Sequence, residues 1–251
     1  MQPYELLAGV YDQMVVDPCY ASWATFLDQL WGGSAVVPRV LDVCCGTGLL
    51  AAELVDRGYQ LVGTDASAAM LARARSRLGP SVPLHRAELP EVGTDEVFDA
   101  VVSTFDGLNY VPMDTFPTTL ARLSERLGPG GWLVFDLHTD AMMRFTLDNP
   151  VVSGEEGGRG FRITSEVDSD QRTCATTIEL REPDGHGFQE THRQYFHCDA
   201  RVTAALRSAG LVDIRVLDEY SAQPADQDTL RATWVARRPA RSVDPEPQRR
   251  C

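Results

Sequence analysis

Val40-Leu41-Asp42-Val43-Cys44-Cys45-Gly46-Thr47-Gly48-Leu49-Leu50 decides the fold. Val40, Leu41 and Val43 form the short apolar run of a parallel strand covered on both faces. Gly46 and Gly48 carry no Cβ, so the backbone there can turn sharply and come close to a ligand. A helix expected over 49–57 then points its free N–H groups at the turn. This is the pattern of a nucleotide-type site. Gly46-Thr47-Gly48-Leu49-Leu50-Ala51 fits the dinucleotide fingerprint, and Asp65 follows at roughly the right distance. The glycines alone therefore leave the nucleotide open.

The 251 residues suffice for one large α/β domain with an insertion, or for two small domains. An apolar fraction of 43% supports a hydrophobic core. The net charge of −13 and the lack of a Lys/Arg cluster before the tail argue against a nucleic-acid partner. No apolar run reaches the roughly 18 residues of a membrane span, and no signal peptide is expected. The six cysteines show neither a disulfide framework nor a zinc spacing. A reduced, cytoplasmic protein is expected.

Further along, 60–64 reads as a second strand with Asp65 at its carboxyl end, where open α/β sheets bind ligands. A carboxylate there can accept both hydroxyls of a ribose; the alternative is a helix cap. Ser67 is expected to cap a helix with Leu71, Ala74 and Leu78 inward and Arg73, Arg75 and Arg77 solvated. Strands follow at 83–86 and 98–103. The loop Thr104-Phe105-Asp106-Gly107-Leu108-Asn109-Tyr110 leaves the latter at the same end of the sheet. A helix with Phe116, Leu120, Leu123 and Leu127 on one face stops at Gly128-Pro129-Gly130-Gly131, before a strand at 132–136. Period-2 alternation at 173–180 and 189–197, with a glycine-bearing turn between, marks antiparallel strands, and 162–167 reads as another. Gly154 to Gly160 reads as a loop. Asp199 is expected to cap a helix, with strands at 212–217 and 229–237 closing the core. The Pro- and Arg-rich 239–251 reads as a disordered tail.

Leu41-Asp42-Val43-Cys44-Cys45-Gly46-Thr47-Gly48 closely resembles motif I of class I S-adenosylmethionine (SAM) methyltransferases. Leu127-Gly128-Pro129-Gly130-Gly131 followed by an apolar strand ending in Asp136 is a second hallmark of that family. A dinucleotide dehydrogenase has no reason to show it. The resemblance implies an α/β, Rossmann-like seven-stranded sheet with helices on both faces. To this it adds an N-terminal helical lid over 1–33 and an antiparallel β insertion over 137–197, between the fifth strand and the next helix. The SAM-binding core would then comprise 1–136 and 198–238. The insertion would roof the active site or form a homodimer contact. Tyr4, Tyr11-Asp12, Asp17 and Tyr20 resemble the lid segment of small-molecule methyltransferases.

The resemblance places cofactor binding at Tyr11, Trp23, Asp42, Cys44, Gly46, Gly48, Asp65, Ala66, Met70, Glu88, Leu89 and Thr104. Met70 has core packing as its alternative reading. Glu88 stands where the family usually offers an Asp to the adenine. No metal is expected, because no Asp/Glu/His set has ligand spacing. Alignment of the two reactants supplies most of the catalysis of methyl transfer, and a hydroxyl acceptor also needs a general base. His138 is the first candidate for a base or hydrogen-bond partner, then Asp106 and Asn109, with Tyr11 from the lid. The insertion adds His192 or Tyr195, which point to opposite faces of one strand. Among class I enzymes, the chain looks like bacterial N-methyltransferases of small natural products such as antibiotic intermediates and amino sugars. Small-molecule O-methylation and non-catalytic SAM binding are the alternatives.

Overall fold

The computed structural model describes residues 3–14, 19–32, 38–156 and 158–240. Asp17 and most of the expected tail lie outside them. After a turn at Leu7–Gly9 come α1 (Tyr11–Met14) and α2 (Cys19–Trp31). The core alternates β1 (Arg39–Val43), α3 (Leu49–Asp56), β2 (Gln60–Asp65), α4 (Ala68–Leu78), β3 (Leu84–Arg86), β4 (Phe98–Ser103), α5 (Phe116–Glu125) and β5 (Leu127–His138). Next are α6 (Asp140–Asp148), β6 (Val151–Glu156), β7 (Arg159–Asp168), β8 (Thr173–Arg181) and β9 (Gly187–Tyr195). The chain then forms α7 (Asp199–Ser208), β10 (Val212–Asp218) and β11 (Arg231–Arg237).

The seven-stranded sheet has the order β10-β11-β5-β4-β1-β2-β3. β11 runs antiparallel to both of its neighbours, and β1 to β5 are mutually parallel where they pair. Alternation along the strands sends side chains to two cores. Leu41, Val101, Leu133 and Phe135 pack with Leu120 and Leu123 of α5 and Leu206 of α7. Val40, Val102, Val134 and Val235 pack with Trp23 and Leu27 of α2 and Leu50 and Leu54 of α3. Helices thus cover both faces, which is why the strands read as nearly continuous apolar runs.

Four strands, β6-β7-β8-β9, make a separate antiparallel sheet between β5 and α7. Two of its features depart from expectation. The stretch read as a Gly-rich loop is mostly β6 pairing with β7, and α6 precedes the sheet. Helix α7 is capped at Cys198 rather than Asp199, which lies in its first turn. Arg73 and Arg77 are not merely solvated: Arg73 donates to the carbonyl of Gly9 (3.0 Å), and Arg77 pairs with Asp12 (2.6 Å).

Asp42 is the one acidic residue of β1 and is buried at 1% exposure. Its Oδ2 has no hydrogen-bond partner among the described residues. Burial, then the nearby Asp65, pushes its carboxyl up to about 8. The native chain therefore holds a proton between about pH 4 and about pH 8 that the unfolded chain releases, so stability from this residue falls as pH rises across that window. Asp42→Asn removes this dependence. Its melting temperature relative to wild type should increase by several degrees from the acid to the alkaline end of the window; thermal melts of both proteins across pH check this.

Candidate active site

A cavity of about 450 Å³ opens at the carboxyl ends of β1, β2, β3 and β4. Two glycines shape the turn beside it. Gly46 (φ 55°) has open space where a Cβ would lie, and it lines the cavity. Gly48 (φ 79°) does not line it; a Cβ there would come within 3.1 Å of Leu78, so its smallness lets α3 pack on α4. The turn is held from below by Asp65. Asp65 Oδ2 accepts the Gly46 N–H at 2.9 Å and Oδ1 accepts the Ser67 N–H at 2.8 Å. Each oxygen keeps a lone pair for a ligand in the cavity. Ser67 caps α4 by accepting the Met70 N–H at 3.2 Å.

The N-terminal segment closes one side. Asp12 accepts from Thr47 Oγ1 at 2.6 Å and pairs with Arg77, tying the segment to the glycine turn. Tyr4, Tyr11 and Tyr20 then face the cavity. Tyr110 meets them from the loop after β4, and β9 adds Thr191, Arg193 and Tyr195. Tyr4 packs edge-on to Tyr11, ring centroids 5.7 Å apart. Burial raises the pKa of Tyr4, Tyr11, Tyr20 and Tyr110, so these phenols stay protonated.

Of the residues expected to bind cofactor, Tyr11, Cys44, Gly46, Asp65, Ala66, Met70, Glu88, Leu89 and Thr104 line this cavity. Trp23 does not. It is buried and stacks on Tyr220 at 4.7 Å, with Phe105 at 5.6 Å, because α2 turns that face to the sheet. Asp42 lies within the sheet and is not part of the lining.

Of the expected bases and hydrogen-bond partners, Tyr11 and Tyr195 line the cavity, whereas His138, Asp106, Asn109 and His192 do not. β5 runs to His138, which pairs with Arg231 of β11. The His138 ring lies 3.7 Å from Asp106 and does not line the cavity. Burial lowers its pKa, against the pull of Asp106. Asn109 accepts the His138 N–H at 3.0 Å and donates to the Tyr195 carbonyl at 2.7 Å, joining the loop to both sheets. Asp106 takes bonds from Arg231 and Gln194. His192 is 3% exposed, on the face of β9 opposite the lining residues. Asp136, at 0% exposure, accepts the backbone N–H of Phe105 (2.8 Å) and of Asp106, and the hydroxyl of Tyr220 (2.9 Å). Phe105 and Asp106 are both left-handed, φ 60° and 55°. One carboxylate therefore pins two strained residues in succession. Arg231, Tyr220 and Glu190 escape sequence reading, because only the fold brings β9, β11 and the loop after β4 together. The one available signal for Glu190 is its place, with His192, on the alternate face of a strand.

The strand order decides between the two readings of the glycine turn. The usual dinucleotide fold orders its mostly parallel strands 3-2-1-4-5-6; here an antiparallel strand, β11, is inserted between β5 and β10. Residues 40–131 match the family described as "Methyltransferase domain". Residues 40–131 thus carry a methyltransferase domain, and the chain is a SAM-dependent methyltransferase. This methyltransferase is 26% identical over 228 residues to the putative methyltransferase YqeM of Bacillus subtilis, covering 87% of this chain and 90% of that protein. Its fold matches a SAM-dependent methyltransferase from Clostridium acetobutylicum with a TM-score of 0.82 at 21% identity, over 95% of this chain and 100% of the other. It also matches the sugar N-methyltransferase KedS8 from Streptoalloteichus with a TM-score of 0.74 at 23% identity, over 94% and 93%.

Asp136→Ala leaves buried donors from Phe105, Asp106 and Tyr220 without their acceptor. At roughly 1–3 kcal/mol for each unsatisfied group, a loss of at least about 3 kcal/mol is expected. Urea unfolding of the variant against wild type measures it.

Proposed function

We propose that this enzyme methylates a nitrogen of a small-molecule acceptor, and that the cavity holds SAM and acceptor end to end. In this reading Asp65 binds the ribose, using the lone pairs left free by Gly46 and Ser67. Glu88 and Leu89 flank the adenine with Met70, and Cys44, Gly46 and Thr104 hold the amino-acid portion. SAM supplies an electrophilic methyl group on a sulfonium. Phenol faces attract such a cation, and in this reading Tyr11, on the cavity wall, supplies one.

One observation carries the preference for nitrogen. The tyrosines lining the cavity are neutral phenols raised by burial, and no imidazole lines it among the described residues, His138 standing behind the wall. A hydroxyl acceptor needs a base strong enough to take its proton during attack, whereas an amine needs only a free lone pair and alignment. The likeness to KedS8, itself a sugar N-methyltransferase, supports an amino sugar or related natural-product amine. The second sheet acts here as the roof that shapes the acceptor end, through Thr191, Arg193 and Tyr195. Small-molecule O-methylation is the second reading.

The test is a mass-shift assay with SAM on paired acceptors, amino sugars against the corresponding hydroxy sugars. Gains of one or two methyl masses on the amines alone are expected; methylation of the hydroxy partners alone would overturn the assignment. Asp65→Ala should weaken binding of S-adenosylhomocysteine by at least about 100-fold, from two lost hydrogen bonds to a charged group. Titration calorimetry reads this directly, and unchanged affinity would displace the ribose from Asp65.

A further inference from the structure

Behind Tyr110 lies a chain of hydrogen bonds that the reaction described so far does not use. Tyr110 lines the cavity, and its hydroxyl meets His192 Nδ1 at 2.7 Å. His192 Nε2 meets Glu190 Oε1 at 2.8 Å. Tyr4, also on the cavity wall, brings its hydroxyl within 2.8 Å of Tyr110's. His192 and Glu190 are each 3% exposed. Glu190 is further occupied. Its Oε2 accepts the N–H groups of Leu6 (2.9 Å) and Leu7 (3.1 Å), and its Oε1 that of Tyr4.

Donor and acceptor roles follow from chemistry. A carboxylate only accepts, so His192 Nε2 carries the hydrogen. In the neutral ring Nδ1 is then the acceptor, and Tyr110 must donate to it. Every hydrogen along the chain is thereby oriented one way, from the cavity toward Glu190.

We propose that Tyr110, His192 and Glu190 form a proton relay that strips the acceptor amine of its ammonium proton. The inference rests on the reading of the acceptor as an amine. In the step, an acceptor N–H bond breaks and an O–H bond forms at Tyr110. The original Tyr110 O–H bond breaks, and an N–H bond forms at His192 Nδ1. The acceptor nitrogen keeps the electron pair it needs for attack. The positive charge leaves the cavity, where it would oppose the sulfonium, and settles beside the Glu190 carboxylate. When the cavity opens, the proton returns to solvent by the same route. Tyr110 is the residue that touches the acceptor; His192 and Glu190 act through it.

The groups facing His192 are Tyr4 from the N-terminal segment, Tyr110 and Asp106 from the loop after β4, and Glu190 from its own strand. Across from it on β8 is the uncharged Thr176. Burial lowers the imidazole pKa while Glu190 and Asp106 oppose the shift, so His192 is neutral at neutral pH. The N-terminal segment and the relay share one carboxylate. The relay is complete only when 4–7 are docked.

Two measurements test this. Ring-nitrogen NMR of the full-length protein at neutral pH should show His192 as the Nε2–H tautomer, with an Nδ1 signal that moves in Tyr110→Phe. An Nδ1–H tautomer or an imidazolium would overturn the relay whether or not any amine is methylated. On an amine that the wild type methylates, His192→Gln and Tyr110→Phe should each lower kcat/KM about 100-fold at neutral pH, with unchanged affinity for S-adenosylhomocysteine. The loss should shrink as pH rises to the acceptor's own pKa, because solvent then removes the proton. A loss of equal size at every pH, or no loss, would overturn the relay and leave the amine assignment standing. Failure of the wild type to methylate any amine would instead overturn that assignment.

Discussion

Three walls of the cavity are fixed by the same interaction: a carboxylate that accepts backbone N–H groups. Asp65 holds the glycine turn through Gly46 and Ser67. Asp136 holds the loop after β4 through Phe105 and Asp106. Glu190 holds the N-terminal segment through Tyr4, Leu6 and Leu7. Hydrogen bonds to charged groups contribute about 1.5–3 kcal/mol each, and more is lost when a buried partner is removed. Irregular backbone that would be mobile on its own is thus set to a defined geometry from the rigid ends of strands. That precision is what an alignment-driven reaction needs.

The same residues link the two sheets. Asn109 joins His138 of the parallel core to Tyr195 of β9. Asp106 joins Arg231 of β11 to Gln194 of β9. The loop after β4 is the common member, so the floor of the cavity and the surface facing it are positioned by one short segment. Much of the polar inventory near the site is therefore architectural. His138, Asp106 and Asn109 look catalytic as residue types, but they hold the wall.

How much of this is legible in the sequence depends on range. The glycine turn, Asp65 and the strand boundaries at Phe98–Ser103 follow from patterns within ten or so residues, where apolar runs and glycines act locally. The lining positions Met70, Glu88, Leu89 and Thr104 follow once the parallel sheet is accepted, because they sit at strand ends. What fails is long-range. Trp23 is aromatic and near the lid, yet only the packing of α2 on Tyr220 shows that it faces inward. Arg73 and Arg77 have the spacing of a solvated face, yet they reach 9–12 across the glycine turn. Glu190 and His192 read as ordinary strand residues, since period 2 gives their face but not what covers it. β6 is missed because its glycine at 154 mimics a loop.

The central claim is that Asp65 and the glycine turn seat the adenosyl group of SAM, with the tyrosine wall beyond it. A crystal structure with S-adenosylhomocysteine tests it most directly. The account predicts ribose hydroxyls within hydrogen-bond distance of Asp65, the adenine beside Met70 and Leu89, and the sulfur facing Tyr11 and the acceptor end. An adenosyl group seated elsewhere, with Asp65 still bound only to Gly46 and Ser67, would contradict it.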